Sequence, residues 1–219
     1  MKYYPVYLNL KDRRVLLVGA GEIGKQKIHS LLDCQARVHV VAPVALPEIQ
    51  ELARDGKIEW SIRSYKTADT EGTSLIIAAT DDPDLQKRIA ADARSRGIWV
   101  NIVDVPPLCD FIAPAIVARG DIQIAISTGG AAPALAKYLR KKLEPLIGPE
   151  YEDFVKVVEK LRPDILKLPK EKRTSLWERM VSDEFFNDIR REGIVKAEAR
   201  MKEWVYHRPI KKKGGEGGQ

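Results

Sequence analysis

Residues 14–27 read RVLLVGAGEIGKQK, and this stretch decides the fold. Arg14–Val18 is a short run of valine and leucine, the length and composition of a strand buried on both faces. Gly19, Gly21 and Gly24 follow in G-x-G-x-x-G spacing, and a helix is expected over 22–32. Each glycine meets a mechanical demand: Gly19 a tight turn, Gly21 close approach of a pyrophosphate, Gly24 tight packing of helix on strand. The helix start adds backbone N–H groups and a partial positive charge. The hexapeptide alone is a weak signal, and a glycine turn kept for packing competes with it. The strand before it and the helix after it favour dinucleotide binding.

Outward from this stretch the chain alternates strand-like and helix-like segments. Strands are expected at 37–41, 58–62, 74–79 and 98–103, with helices at 47–54 and from Thr80-Asp81-Asp82-Pro83 to about Arg96. That order predicts an α/β chain with a parallel sheet covered on both faces. After Pro106-Pro107 the pattern changes. Residues 111–118 and 121–127 read as two strands joined through Arg119-Gly120, a hairpin. STGGAAPALAKYLRKKLE follows, with Leu135, Leu139 and Leu143 four apart, and Ser127 or Thr128 with the glycines is expected to open that helix. From Tyr151 no strand signal survives. Tyr151, Phe154, Val155, Val158 and Leu161 form one apolar helical face that Pro163 is expected to end, and further helices are expected at 176–180, 182–190 and 194–205.

The 219 residues exceed one average domain, and 44% hydrophobic with 31% charged residues is a globular composition. The longest apolar runs are strand-length, so no membrane partner is expected, and the first residues lack the apolar core of a secretory signal. Cys34 and Cys109 are expected as free thiols in a reducing cytoplasm. Of the net charge of +6, half comes from Arg208, Lys211, Lys212 and Lys213 against Glu216, a tail expected to be flexible at 208–219. The body is only mildly basic, and a nucleic-acid partner is not expected. His29, His39 and His207 are far apart and no metal site is expected.

Ligands of an open parallel sheet sit beyond the carboxyl ends of its strands. There the chain would collect Gly19 to Gly24, Pro43 and Val44, Thr80, Asn101 and Asp104. The carboxylate expected about 20 residues past the glycines, to bind the adenosine ribose, is missing, because the second strand ends in Ala42-Pro43-Val44. Backbone near Pro43 and Val44 would hold the ribose instead. Asp104 has two readings, a carboxylate accepting a proton in the cleft or a turn cap before Val105-Pro106-Pro107. Ser127-Thr128-Gly129-Gly130 either holds an anionic group or only begins a helix.

Taken together, YPVYLNLKDRRVLLVGAGEIGKQK, VVAP, IIAATDD, NIVDVP, FIAPAI and ISTGGAAPALAKYLRKKLE resemble, in order and spacing, the precorrin-2 dehydrogenase/sirohydrochlorin ferrochelatase family, the N-terminal part of sirohaem synthase. The resemblance runs over residues 4–144. It implies a Rossmann-type domain at 1–110, a small α+β dimerisation segment at 111–148, a helical C-terminal region at 149–207, and a cytoplasmic homodimer. It implies NAD-dependent oxidation of precorrin-2 to sirohydrochlorin, with ferrous iron as a second substrate in bifunctional relatives. It assigns catalysis to Asp104, cofactor contacts to Glu22, Ile23, Pro43 and Val44 beside the glycines, and the tetrapyrrole pocket to Ser127 and Thr128. Asn101 and Gly129 are added as substrate-binding candidates and Thr80 as a cofactor-binding one. The rivals are a non-catalytic NAD-sensing module, disfavoured by Ala42-Pro43-Val44 and Asp104, and a nucleoside-cofactor methyltransferase, disfavoured by the third glycine.

Overall fold

In the computed structural model, residues 2–206 are described, so the tail expectation and His207 lie outside the described residues. The chain divides into two compact units, one reaching Ala113 and including Gly129–Ala132, the other holding Pro114–Thr128 and the chain from Pro133.

The first unit is a five-stranded parallel sheet in the order β3-β2-β1-β4-β5. Its strands are β1 (Arg14–Val18), β2 (Arg37–Val41), β3 (Glu59–Ser61), β4 (Leu75–Ala78) and β5 (Trp99–Ile102). The helices α1 (Glu22–Asp33), α2 (Pro47–Arg54) and α3 (Pro83–Ser95) connect them. All four residues of β4 and four of the five in β1 and β2 are buried, which is why these strands read as continuous apolar runs rather than alternating ones. The two faces build separate cores. Val15, Leu17, Val38 and Val40 pack with Ile28 and Ile49 of α1 and α2 on one side. Leu16, Val18, Ile76 and Val100 pack with Ile89 and Ala93 of α3 on the other. Each fully buried aliphatic side chain contributes about 1.5–3 kcal/mol. The α3 start is as the sequence implies: Asp82 accepts from the N–H groups of Asp84 (3.0 Å) and Leu85 (3.1 Å), with Pro83 in the first turn.

The second unit begins with the antiparallel hairpin β6 (Ala115–Arg119) and β7 (Ile122–Ile126), followed by α4 (Pro133–Leu143). It continues as α5 (Pro149–Lys167), α6 (Lys170–Met180), α7 (Asp183–Glu192) and α8 (Ile194–Tyr206). Phe154, Leu161, Ile165, Met180, Phe185, Ile189 and Met201 make its core.

Two expectations are corrected here. Pro163 does not end its helix; it lies inside α5, which runs four residues further. The proline removes one helical hydrogen bond at a cost of about 3 kcal/mol. Burial of Leu161 and Ile165 on either side, 3% and 0% exposed, outweighs that cost. Nor do Ser127 and Thr128 open α4, which starts at Pro133. Gly129 and Gly130 take φ of +66° and +87°, left-handed values that a right-handed helix cannot include, and Pro133 presets the first helical residue.

Candidate functional site

Because the five strands are parallel, the residues that follow each of them gather along one edge of the sheet. The loop after β1 stands at the middle, flanked by the end of β2 and the end of β4. Helices leave β1 and β4 toward opposite ends of the strand order, so the crevice at their carboxyl ends is the switch point where such sheets bind ligands.

The glycine loop is built as its spacing requires. Gly19 has φ +101°, and a Cβ there would stand 2.0 Å from the Ala79 carbonyl oxygen, so no other residue passes so close to β4. A Cβ on Gly24 would meet the Gly19 oxygen at 2.5 Å, which is the close approach of α1 to its strand. At Gly21 a Cβ would meet nothing within 4 Å. The loop is thus tight at its two ends and open in the middle, over the N-terminus of α1. No side chain caps that terminus. An anion over Gly21 would meet the first-turn N–H groups and the positive end of a 12-residue helix.

Glu22 opens α1 and by itself would oppose an anion. Lys25 answers it: Nζ lies 2.9 Å from Glu22 and 2.8 Å from Glu48 at the start of α2. The hydrogen bond that Lys25 donates to Glu48, then the one it donates to Glu22, holds the lysine pKa above its usual value, so the ammonium persists and offsets both carboxylates. Ile23 and Val44 are exposed, at 42% and 78%, and present apolar surface at the same rim. The missing ribose carboxylate has no substitute here: β2 carries no acid, and Glu48 of α2 is engaged by Lys25. The Ala42 carbonyl accepts from the Trp60 indole at 3.0 Å, and Pro43 carries no N–H, so the next backbone donor along this turn is that of Val44. Thr80 follows β4; its carbonyl accepts from Gln86 at 2.6 Å, and its hydroxyl accepts from the Asp82 N–H at 3.4 Å.

Asp104 stands exposed just beyond β5, two strand spacings or about 10 Å from β1. It occupies the third position of a turn closed by the Val105 N–H on the Ile102 carbonyl at 3.1 Å, with φ +61°. That position favours glycine, and aspartate is among the few other residues that tolerate it. Asn101 is different. It is 8% exposed, and its amide donates to the Phe111 carbonyl at 2.9 Å, so its side chain holds chain rather than facing the open edge. Ser127 and Thr128 follow β7 in the second unit, and Gly129 opens the turn beyond them. The edge of the first unit therefore brings together the glycine loop, Pro43, Val44, Thr80 and Asp104. Among the described residues, no group of three or more His, Cys, Asp or Glu is placed to hold a metal ion.

Comparison with known proteins places this architecture. Residues 6–115, half of the chain, match the family model NAD_binding_7, described as "Putative NAD(P)-binding". The chain belongs to this NAD(P)-binding family. Residues 119–145 match the model for the central part of a sirohaem biosynthesis protein. A siroheme synthase of Thioalkalivibrio sulfidiphilus is 39% identical over 90% of this chain and 42% of its own length. One from Methylococcus capsulatus is 42% identical over 82% of this chain and 38% of its own. The chain thus spans about two-fifths of the curated relatives it matches. Among solved structures, SirC, a precorrin-2 dehydrogenase, superposes with a TM-score of 0.72 at 26% identity, covering 92% of this chain and all of SirC. The NAD(P)-binding assignment agrees with the open cradle over Gly21, which fits a pyrophosphate. Cys109, expected only as a free thiol, and Asp110 bond to the open side of β5, a role that no local pattern announces.

Proposed function

We propose that this protein is an NAD-dependent oxidoreductase that converts precorrin-2 to sirohydrochlorin on the route to sirohaem. The observation that carries the reading is Asp104, exposed on a left-handed turn at the same sheet edge as the glycine loop. The siroheme synthase relatives and the likeness to SirC support the substrate class.

Bound NAD supplies a hydride acceptor. Gly19, Gly21 and Gly24 with the first turn of α1 hold its pyrophosphate, Glu22 and Ile23 line that loop, and Pro43, Val44 and Thr80 flank the adenosine and nicotinamide sides. Asp104 takes the accompanying proton on its carboxylate as the substrate loses hydride. Ser127, Thr128 and Gly129 are proposed to border the macrocycle. Precorrin-2 bears many carboxylates, and Lys137 and Lys141 on α4 are exposed cations that would draw it in, whereas Arg140 is paired with Glu144 at 2.9 Å. Ferrous iron as a second substrate is tested in the same cuvette. The segment 111–148 is proposed as the dimerisation segment of a cytoplasmic homodimer; Leu135 and Tyr138, 47% and 55% exposed on α4, supply apolar surface for it. Among the described residues no helix is long and apolar enough to cross a membrane.

The test is turnover. Purified protein given precorrin-2 and NAD is expected to develop the absorbance of sirohydrochlorin. Ferrous iron added afterwards gives sirohaem only if the chain is also a chelatase. NAD binding without any turnover would leave the sensing module as the better account.

A further inference from the structure

The loop that carries Asp104 is tied back onto the strand it leaves. β5 is an edge strand, with β4 on one side only. Its inner register bonds to β4 and ends with the Val103 N–H on the Ala78 carbonyl at 2.9 Å. Val100 and Ile102 alternate with that register and direct their N–H and C=O groups to the open side. All four groups are met by two consecutive residues. The Val100 carbonyl accepts from the Asp110 N–H at 2.8 Å, and the Val100 N–H donates to Asp110 Oδ2 at 3.1 Å. The Ile102 N–H donates to Cys109 Sγ at 3.3 Å, and the Cys109 thiol donates to the Ile102 carbonyl at 3.0 Å.

We infer that Cys109 and Asp110 are positioning residues for Asp104, forming a clasp on the edge of β5 that closes loop 103–108 and fixes the left-handed backbone on which the carboxylate stands. Arg94 of α3 adds a weaker tie, with Nη2 3.5 Å from the Pro107 carbonyl and Nε 3.5 Å from Asp110 Oδ1. The Cys109 thiol also lies 3.3 Å from the Val105 carbonyl, so it spans both ends of the turn that contains Asp104. The same Ile102 carbonyl that receives the thiol closes that turn through Val105 N–H. Asn101 reinforces the clasp from inside the sheet, with its amide 2.9 Å from the Phe111 carbonyl and 3.6 Å from Cys109 Sγ. Burial raises the Cys109 pKa and keeps the thiol protonated, the form that donates. Left-handed φ is disfavoured for a residue with a Cβ, so an unclasped loop relaxes and carries the carboxylate with it.

This inference rests on the dehydrogenase reading, and the experiment separates the two. In the full chain, Cys109→Ala is expected to lower kcat about ten- to a hundredfold. The KM for NAD stays at the wild-type value, since the glycine loop lies two strands away. Cys109→Ser, which keeps a donor and an acceptor, restores most of the rate, and Asp110→Ala, an exposed position, repeats the loss. Hydrogen exchange at the Val105 amide is measured alongside and is expected to quicken in Cys109→Ala and Asp110→Ala. Wild-type kcat in both alanine variants overturns the clasp, as does unchanged exchange at Val105. If the wild-type protein itself turns over no precorrin-2, the functional reading fails while the exchange data still decide whether the clasp exists.

Discussion

Alanine at Gly19 and alanine at Gly21 are chemically the same change two residues apart, yet the loop geometry predicts opposite outcomes. At Gly19 the added methyl would sit 2.0 Å from the Ala79 oxygen and 2.7 Å from its carbon, both backbone atoms of the segment leaving β4, on a backbone with φ +101°. The left-handed conformation costs about 1–2 kcal/mol once a Cβ is present. Displacing packed backbone adds about 1–3 kcal/mol. The loss is then about 2–5 kcal/mol, a large share of the ~5–15 kcal/mol that holds a typical domain. At about 2–4 °C per kcal/mol for a chain of this size, Gly19→Ala should lower the melting temperature by about 4–20 °C. Gly21 has φ −86°, open to any residue, and a Cβ there touches nothing within 4 Å. Gly21→Ala should melt within about 2 °C of wild type. Its methyl stands where a phosphate would approach the N-terminus of α1, so its NAD affinity should fall about tenfold or more, or about 1.4 kcal/mol. Thermal melts and an NAD titration on both variants make the comparison. Wild-type NAD affinity in Gly21→Ala would refute the loop as the phosphate cradle, and a wild-type melt in Gly19→Ala would refute its packing against β4.

Asp104→Asn keeps a residue that tolerates φ +61° and removes the charge, so its melt and NAD affinity should match wild type while turnover of precorrin-2 falls at least about a hundredfold; retained turnover would return Asp104 to a turn cap. Pro163→Ala, at an exposed site inside α5, should stabilise the protein by about 1–3 kcal/mol by restoring a helical hydrogen bond, read as a raised melting temperature. His39 is 6% exposed, with Nδ1 2.7 Å from Arg14 Nη2 and Nε2 2.9 Å from Ser61 Oγ. Burial first, and the Arg14 charge second, lower its pKa below 6.5, so the folded protein holds it neutral and the unfolded chain takes the proton first. Its stability contribution is present above the unfolded pKa of 6.5 and is lost as pH falls from there toward the folded value. His39→Gln should therefore flatten the decline of the denaturation midpoint between about pH 7 and pH 5 relative to wild type. Parallel pH profiles would show that His39 does not titrate in this way.

What the sequence made legible follows a physical division. Elements specified by local patterns emerge at nearly their full length: the apolar runs of β1 and β4, the Asp82-Pro83 start of α3, the glycine turn between β1 and α1. Each depends on groups within a few residues of one another, and their spacing is visible in one dimension. The misplaced features depend on what lies far away. Pro163 has a local rule against it, but the burial of Leu161 and Ile165 among helices up to 40 residues later decides the outcome. Glycines 129 and 130 fit a helix start by composition, yet two successive left-handed residues cannot lie within the helix, a property of φ rather than of composition. The candidate site divides the same way. The three glycines and Asp104 are announced by their positions beyond strand ends, because chain order and parallel direction already fix which edge they reach. The roles of Cys109 and Asp110 and the bond of Asn101 to Phe111 are not, since they follow from β5 being an edge strand. That is a fact about strand order, which the sequence does not print. Once the order is known, the unpaired groups of Val100 and Ile102 require partners, and Cys109 and Asp110 are the part of the chain that supplies them. A catalytic carboxylate on a loop is thus only as well placed as the hydrogen bonds of the strand beneath it. Substitutions along that edge should accordingly reach the rate before they reach the fold.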